Sequence, residues 1–162
     1  MSTQAAQALQ QALVAASRDA DARSRAVGAL RGAEVYATTW PADPSSLRTL
    51  LNSSGVRALA LFTDQRQLED AAGRFAWLGV DGRVPSRRLH MSEAIRFARQ
   101  QKVALVVVDI TSDHTFELDE GEMELVGASP STRPPSYEGL APVLSSPQQT
   151  PDNGSEVKRV ST

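Results

Sequence analysis

The chain predicts an α/β fold: a mixed sheet of about five to six strands with flanking helices, preceded by a long N-terminal helix and followed by a disordered tail. Three observations carry this expectation. Val103 to Val108 is an unbroken apolar, β-branched run, which fits a strand covered on both faces better than one open to water. From about Thr3 to Leu30 the chain is rich in Ala, Gln and Arg and has no proline, the composition of a helix. From Ser129 onward, Pro and Ser replace large apolar side chains, so little burial is available to offset the entropy of ordering. The boundaries that follow are a helix over residues 1–31, an α/β domain over 32–128 and a tail over 129–162.

Within the first segment, Leu9, Leu13, Ala16, Ala20, Arg23, Val27 and Leu30 fall four and three apart, which makes one narrow heptad seam. The preferred reading packs this helix on its own domain; the other pairs it with a second chain as a homodimer. Glu34 to Trp40 is β-branched and aromatic and stops at Pro41, as expected of an outer strand. Leu47 to Leu51 and Val56 to Phe62 read as two strands joined by a turn in which Gly55 takes a positive φ, with a helical turn after Pro44 as the alternative for the first. Asp64 and Gln67 resemble a capping box, Leu68, Ala71, Ala72 and Phe75 share one helical face, and Gly79 is the expected stop. Asp81-Gly82 is a turn, and Val84 to Leu89 is a strand flanked by Arg83, Arg87 and Arg88. Ser92 is the expected cap of a helix lined by Met91, Ala94, Ile95 and Ala98. After the central strand, His114 to Leu118 alternates like a half-exposed strand, and Asp119 to Val126 adds a helical turn.

Composition excludes several functions. With 17 basic and 19 acidic residues the net charge is -2, which gives no long-range field to hold a phosphate backbone, so nucleic-acid binding is not expected. The absence of cysteine removes disulfides, thiolate zinc sites and thiol nucleophiles. The first residues lack the basic n-region of a signal peptide, and no window approaches the roughly 20 apolar residues of a membrane span. A cytoplasmic protein that does not bind membranes is the expectation.

The order of blocks also points to a family. Glu34-Val-Tyr is followed by Ala58-Leu-Ala-Leu-Phe62-Thr63-Asp64 leading into a helix with Leu68. An Ala/Arg-rich helix then precedes Val103 to Asp109, and Phe116-Glu-Leu comes with Glu122 and Leu125. This string resembles the N-terminal domain of the SseB family over roughly Gly32 to Val126. Asp64 stands where the family pattern has serine, and Asp109-Ile110 where it has Asn-Pro. The resemblance implies a compact α/β domain of adaptor or accessory character and names no reaction.

The polar residues offer little chemistry. Asp109, Asp113 and His114 follow the central strand, at the end where α/β sheets bind ligands, and are the best candidates for a ligand loop. The preferred reading is a solvated Asx turn with a surface histidine. Their spacing supplies no metal set, and no Gly-x-Ser-x-Gly elbow, Walker loop or Gly-x-Gly-x-x-Gly occurs. No catalytic residue, metal or cofactor is therefore expected. Arg83, Arg87 and Arg88 either guard an exposed strand or clamp an anion. Trp40 and Trp77 are core or groove residues that would mark a docking site if exposed together. The tail's Tyr137 to Leu144 is a small apolar island that either docks on a partner or belongs to a plain linker. The expected function is a non-catalytic protein–protein interaction module, an adaptor or regulatory domain with an unidentified protein partner. The alternative is a small-ligand sensor or enzyme built on the Asp109–His114 loop.

Overall fold

The structure, a computed structural model, describes residues 3–128. Along them run α1 (Thr3–Ala16), α2 (Ala20–Arg31), β1 (Glu34–Trp40), β2 (Asp43–Leu47), β3 (Thr49–Leu51), β4 (Arg57–Leu61), α3 (Gln65–Arg74), β5 (Ser86–His90), α4 (Met91–Gln100), β6 (Leu105–Val108), β7 (Phe116–Leu118) and α5 (Glu120–Gly127). The tail expected from Ser129, with its Tyr137 to Leu144 island, lies outside the described residues.

The single long helix expected at the start is two helices. Asp19 takes extended backbone and its carboxylate accepts from Ala22 N at 2.7 Å, which caps a new helix and breaks the old one. The two helices pack against each other, and Leu9, Leu13 and Ala16 of α1 join Val27 and Leu30 of α2 in one core. The seam's middle leaves it. Ala20 is exposed, while Arg23 bonds Glu122 at 2.7 and 2.8 Å, donates to Glu117 O at 2.7 Å and lies over the Phe116 ring. Arg23 thus covers the outer edge of β7, and the seam's larger apolar residues are used within the chain.

Two sheets form, β2-β1-β5 and β3-β4-β6-β7. An antiparallel bridge between Tyr36 and Phe62, with N–H···O distances of 2.9 Å in both directions, joins them. β1 is therefore not the outer strand that Pro41 suggested. It pairs with β5 along one side and with β2 and Phe62 along the other, and Pro41 falls in the turn to β2. The segment Leu47 to Leu51 divides at Arg48, whose N donates to Thr38 O at 2.8 Å, so its halves join different sheets. Gly55, at φ 78, makes the β3–β4 turn as expected, with Asn52 Oδ1 accepting from Ser54 and Val56.

β6 is the inner strand its composition requires, parallel to β4 and antiparallel to β7. Alternate residues of β4 show the double cover: Leu59 and Leu61 enter the large core with α1, α2, α4 and α5, whereas Ala60 and Phe62 pack with Leu68, Ala71, Ala72 and Trp77 of α3 and its exit. On the large-core side α5 lies so near α4 that a Cβ at Gly127 would sit 2.6 Å from Ile95 Cγ2. The expected cap of α4 is displaced by two residues: His90 occupies it, and its Nδ1 accepts from Ser92 N at 3.3 Å.

Helix α3 ends five residues before Gly79. Phe75 is its C-cap, Ala76 takes φ 57, and Trp77 N donates back to Ala72 O at 2.9 Å, the closing bond of a Schellman motif. α4 ends the same way through Lys102 at φ 55 and the Val103 N to Ala98 O bond of 2.8 Å. Glycine is the usual residue at both positions, so neither stop carried its ordinary signal. Among the described residues no helix is long and apolar enough to cross a membrane.

Candidate functional site

Because β4 and β6 are parallel and pair Leu61 with Val108, the residues that follow them, Thr63 and Asp109, emerge side by side. Asp109 is fully buried. Its Oδ1 accepts from Thr63 N at 2.8 Å, its Oδ2 accepts from the Thr63 hydroxyl at 2.7 Å, and His114 Nε2 lies 3.2 Å from the same Oδ2. Gln10 reaches in from α1, donating Nε2 to Thr63 Oγ1 and Asp64 Oδ2, each at 2.8 Å. Asp64 in turn caps α3 by accepting from Gln67 N at 2.8 Å. One polar knot thus ties α1, the β4–α3 turn and the β6–β7 loop together.

The knot is not the solvated turn expected of Asp109 and His114. Asp109 stands at φ 51, and its carbonyl accepts from Ser112 N, Ser112 Oγ and Thr115 Oγ1 at 2.8 to 3.1 Å. Burial pushes the Asp109 carboxyl above its ordinary pKa, opposed by the Thr63 donors and by His114. Asp113 does not join: it is exposed on the rim of an open cleft of about 510 Å³ that Asp64, Arg66, Asp70, Arg74 and His114 also line. Arg74 is already paired with Asp70 at 3.1 Å. The Asp109 carboxylate is buried and does not line the cleft, and the Ser112 hydroxyl donates to the Asp109 carbonyl. Among the described residues no three His, Cys, Asp or Glu side chains converge to hold a metal ion.

A second cluster occupies the opposite end of α3. Phe75 stacks on Trp77 with ring centroids 4.9 Å apart, and the Arg48 guanidinium lies 5.7 Å from the Trp77 ring and 4.4 Å from the Trp40 ring. The two tryptophans are not exposed together. Trp77 is 7% exposed, whereas Trp40 at 40% and Phe75 at 44% remain open, and Leu78 and Val80 in the loop that follows α3 are exposed as well. Arg48, Phe75, Leu78 and Val80 were not singled out from sequence. Phe75 fits the buried stripe of α3 by spacing, yet as the C-cap at the helix end it stays 44% exposed.

The arginines of β5 are committed elsewhere. β5 is an outer strand, and Arg87 pairs with Glu93 while Arg88 pairs with Glu34. Arg88 holds the Glu34 carboxyl down to about 2. Neither guanidinium is free to clamp an anion without giving up a carboxylate. Arg83 is exposed in the loop before β5 and lies apart from both pairs.

A family model for the SseB protein N-terminal domain matches residues 9–124, so the match extends back into α1, beyond the segment in which the sequence blocks were recognised. No curated protein and no solved structure matches the chain. With well over half its length matched, the chain belongs to the SseB N-terminal domain family.

Proposed function

We propose that this domain is a non-catalytic interaction module of adaptor or regulatory type, working in the cytoplasm, which docks a protein partner on the face formed by Trp40, Phe75, Leu78 and Val80. The observation that carries the reading is the linked cluster of Trp40, Arg48, Trp77 and Phe75 past the end of α3, with Trp40 and Phe75 open and exposed Leu78 and Val80 in the loop that follows. The best polar cluster supports it from the other side, because its hydrogen-bonding capacity is turned inward. Affinity capture from native cells tests this. The natural chain and Asp109→Asn should retain the same partner, and a Leu78→Glu/Val80→Glu variant should lose it. Equal capture by all three, or loss with Asp109→Asn alone, contradicts the reading.

A small-ligand sensor or enzyme working from the Asp109–His114 loop is the second reading, favoured by the open cleft at the C-terminal ends of the parallel strands with His114 at its rim. It requires that Asp113→Ala and His114→Ala abolish cellular activity while partner capture is unchanged.

A further inference from the structure

We infer that the docking face is selective for an acidic segment of a partner protein, in which a carboxylate adjacent to a large apolar side chain is taken by Arg48; this rests on the interaction-module reading above. Arg48 is held unlike any other arginine described. Its guanidinium lies against Trp40 and Trp77, and its Nε is buried without a hydrogen-bond partner. Among the described residues no carboxylate pairs with it. Arg48 is half-buried, and its terminal nitrogens are not among the buried atoms left without a partner. A planar fork fixed by ring stacking and presented without an anion suits a two-point contact with a carboxylate, at little further cost in side-chain entropy.

The surroundings extend the match. Arg83 adds a second exposed cation in the loop that also carries Leu78 and Val80. Two acids near Arg83 and Trp40 in sequence bond neighbouring backbone: Asp81 Oδ1 accepts from Arg83 N at 3.0 Å, and Asp43 Oδ1, at the start of β2, accepts from Ser45 N at 3.1 Å. Neither acid is paired with the fork; Trp40 lies beneath it and Phe75, stacked on Trp77, adds open apolar area. Strand addition at this sheet is a poorer match. β2 contains Pro44 and β5 follows Pro85 and carries two paired arginines, devices that discourage edge pairing.

The test selects random displayed peptides on the full-length chain, then measures synthetic copies of the winners by calorimetry and by Trp40 and Trp77 emission. The selected peptides should place Asp or Glu within two positions of an aromatic or large aliphatic residue. Arg48→Gln and Phe75→Ser should each weaken binding at least tenfold, with Arg48→Lys intermediate and Asp109→Asn unchanged. Replacing the peptide's acid by its amide should give the same loss without altering the protein, which keeps the test valid should Arg48→Gln fail to fold. Peptides without an acid preference, or affinity indifferent to both Arg48→Gln and the amide, overturn the proposal. If Phe75→Ser still abolishes that binding, the docking face stands and only the acidic specificity falls; if neither variant matters, the docking face falls too. Self-association of the chain that Arg48→Gln abolishes would identify a second copy as the occupant and also overturn the proposal.

Discussion

The two ends of α3 solve opposite problems with similar backbone geometry. At its start, Asp109 adopts φ 51 to turn a carboxylate into the protein, where Thr63, His114 and, through Thr63, Gln10 satisfy it. At its finish, Ala76 adopts φ 57 to swing Trp77 beneath Phe75 and Arg48, where aromatic faces and a cation are left open. The helix between them is 10 residues long, about 15 Å. A buried polar group must find its partners within the fold, because leaving it unpaired costs more than any single bond returns. An exposed apolar group has no such constraint and is available to another molecule. The first end serves stability, and on the proposed function the second is left for recognition.

The largest effect is expected at the knot. Asp109→Ala strips Thr63 and His114 of their acceptor and should lower unfolding free energy in urea by about 3 kcal/mol. Gln10→Ala removes a half-buried link between α1 and the β4–α3 turn. It should cost about 1 kcal/mol, with faster amide exchange confined to α1 and α2 as its signature. At the other end the sign reverses. Ala76→Gly relieves a left-handed alanine and should stabilise the chain by up to about 1 kcal/mol, less the added freedom of the unfolded chain. Destabilisation there would mean that the methyl group packs and that the turn is not strained.

A pH series sharpens the contrast. Burial raises the Asp109 pKa above its ordinary 3.8, so the folded chain keeps that proton to higher pH than the unfolded chain does. Its favourable contribution is complete below the unfolded value and is lost as pH rises through the folded one. The stability of the natural chain relative to Asp109→Asn should therefore fall in urea titrations as pH rises above the ordinary carboxylate range. Glu34 acts in the opposite sense, because Arg88 lowers its pKa from 4.5 to about 2 and its contribution is lost as pH falls through that range. Both proteins carry that pair, so it cancels in the difference. A flat difference would show that Asp109 is not desolvated as its burial implies. The smallest effect is expected for Arg88→Ala: its exposed pair with Glu34 is screened by solvent, so the melting temperature should hardly move.

Much of the fold was legible because burial writes itself into composition. Val103 to Val108 fits a covered strand best and supplies β6 from Leu105 on, and the turn at Gly55 and the strand beginning at Glu34 are marked by residue type. What was missed depends on partners distant in sequence or on signals that were absent. Gln10 and Thr63 are 53 residues apart, and nothing near either one marks their contact. Asp19 reads as one more charge in an Ala/Arg-rich helix, although it is the cap that divides that helix. Ala76 and Lys102 occupy positions where glycine would have signalled a stop, so Gly79 was given that role and Phe75 was placed on the buried face. Trp40 and Trp77 stand out in the sequence by residue type, but nothing near either one marks Arg48 as the side chain that lies over both rings.

The most direct test maps, by two-dimensional NMR on the labelled full-length chain, the amide and indole signals that shift when a selected acidic peptide is added. Shifts should concentrate on Trp40, Arg48, Phe75 and Leu78, with the signals of Asp64, Thr111 and His114 unmoved. Shifts centred on Asp64 and the Asp109–His114 loop, with the Trp40 indole silent, would contradict the proposed docking face.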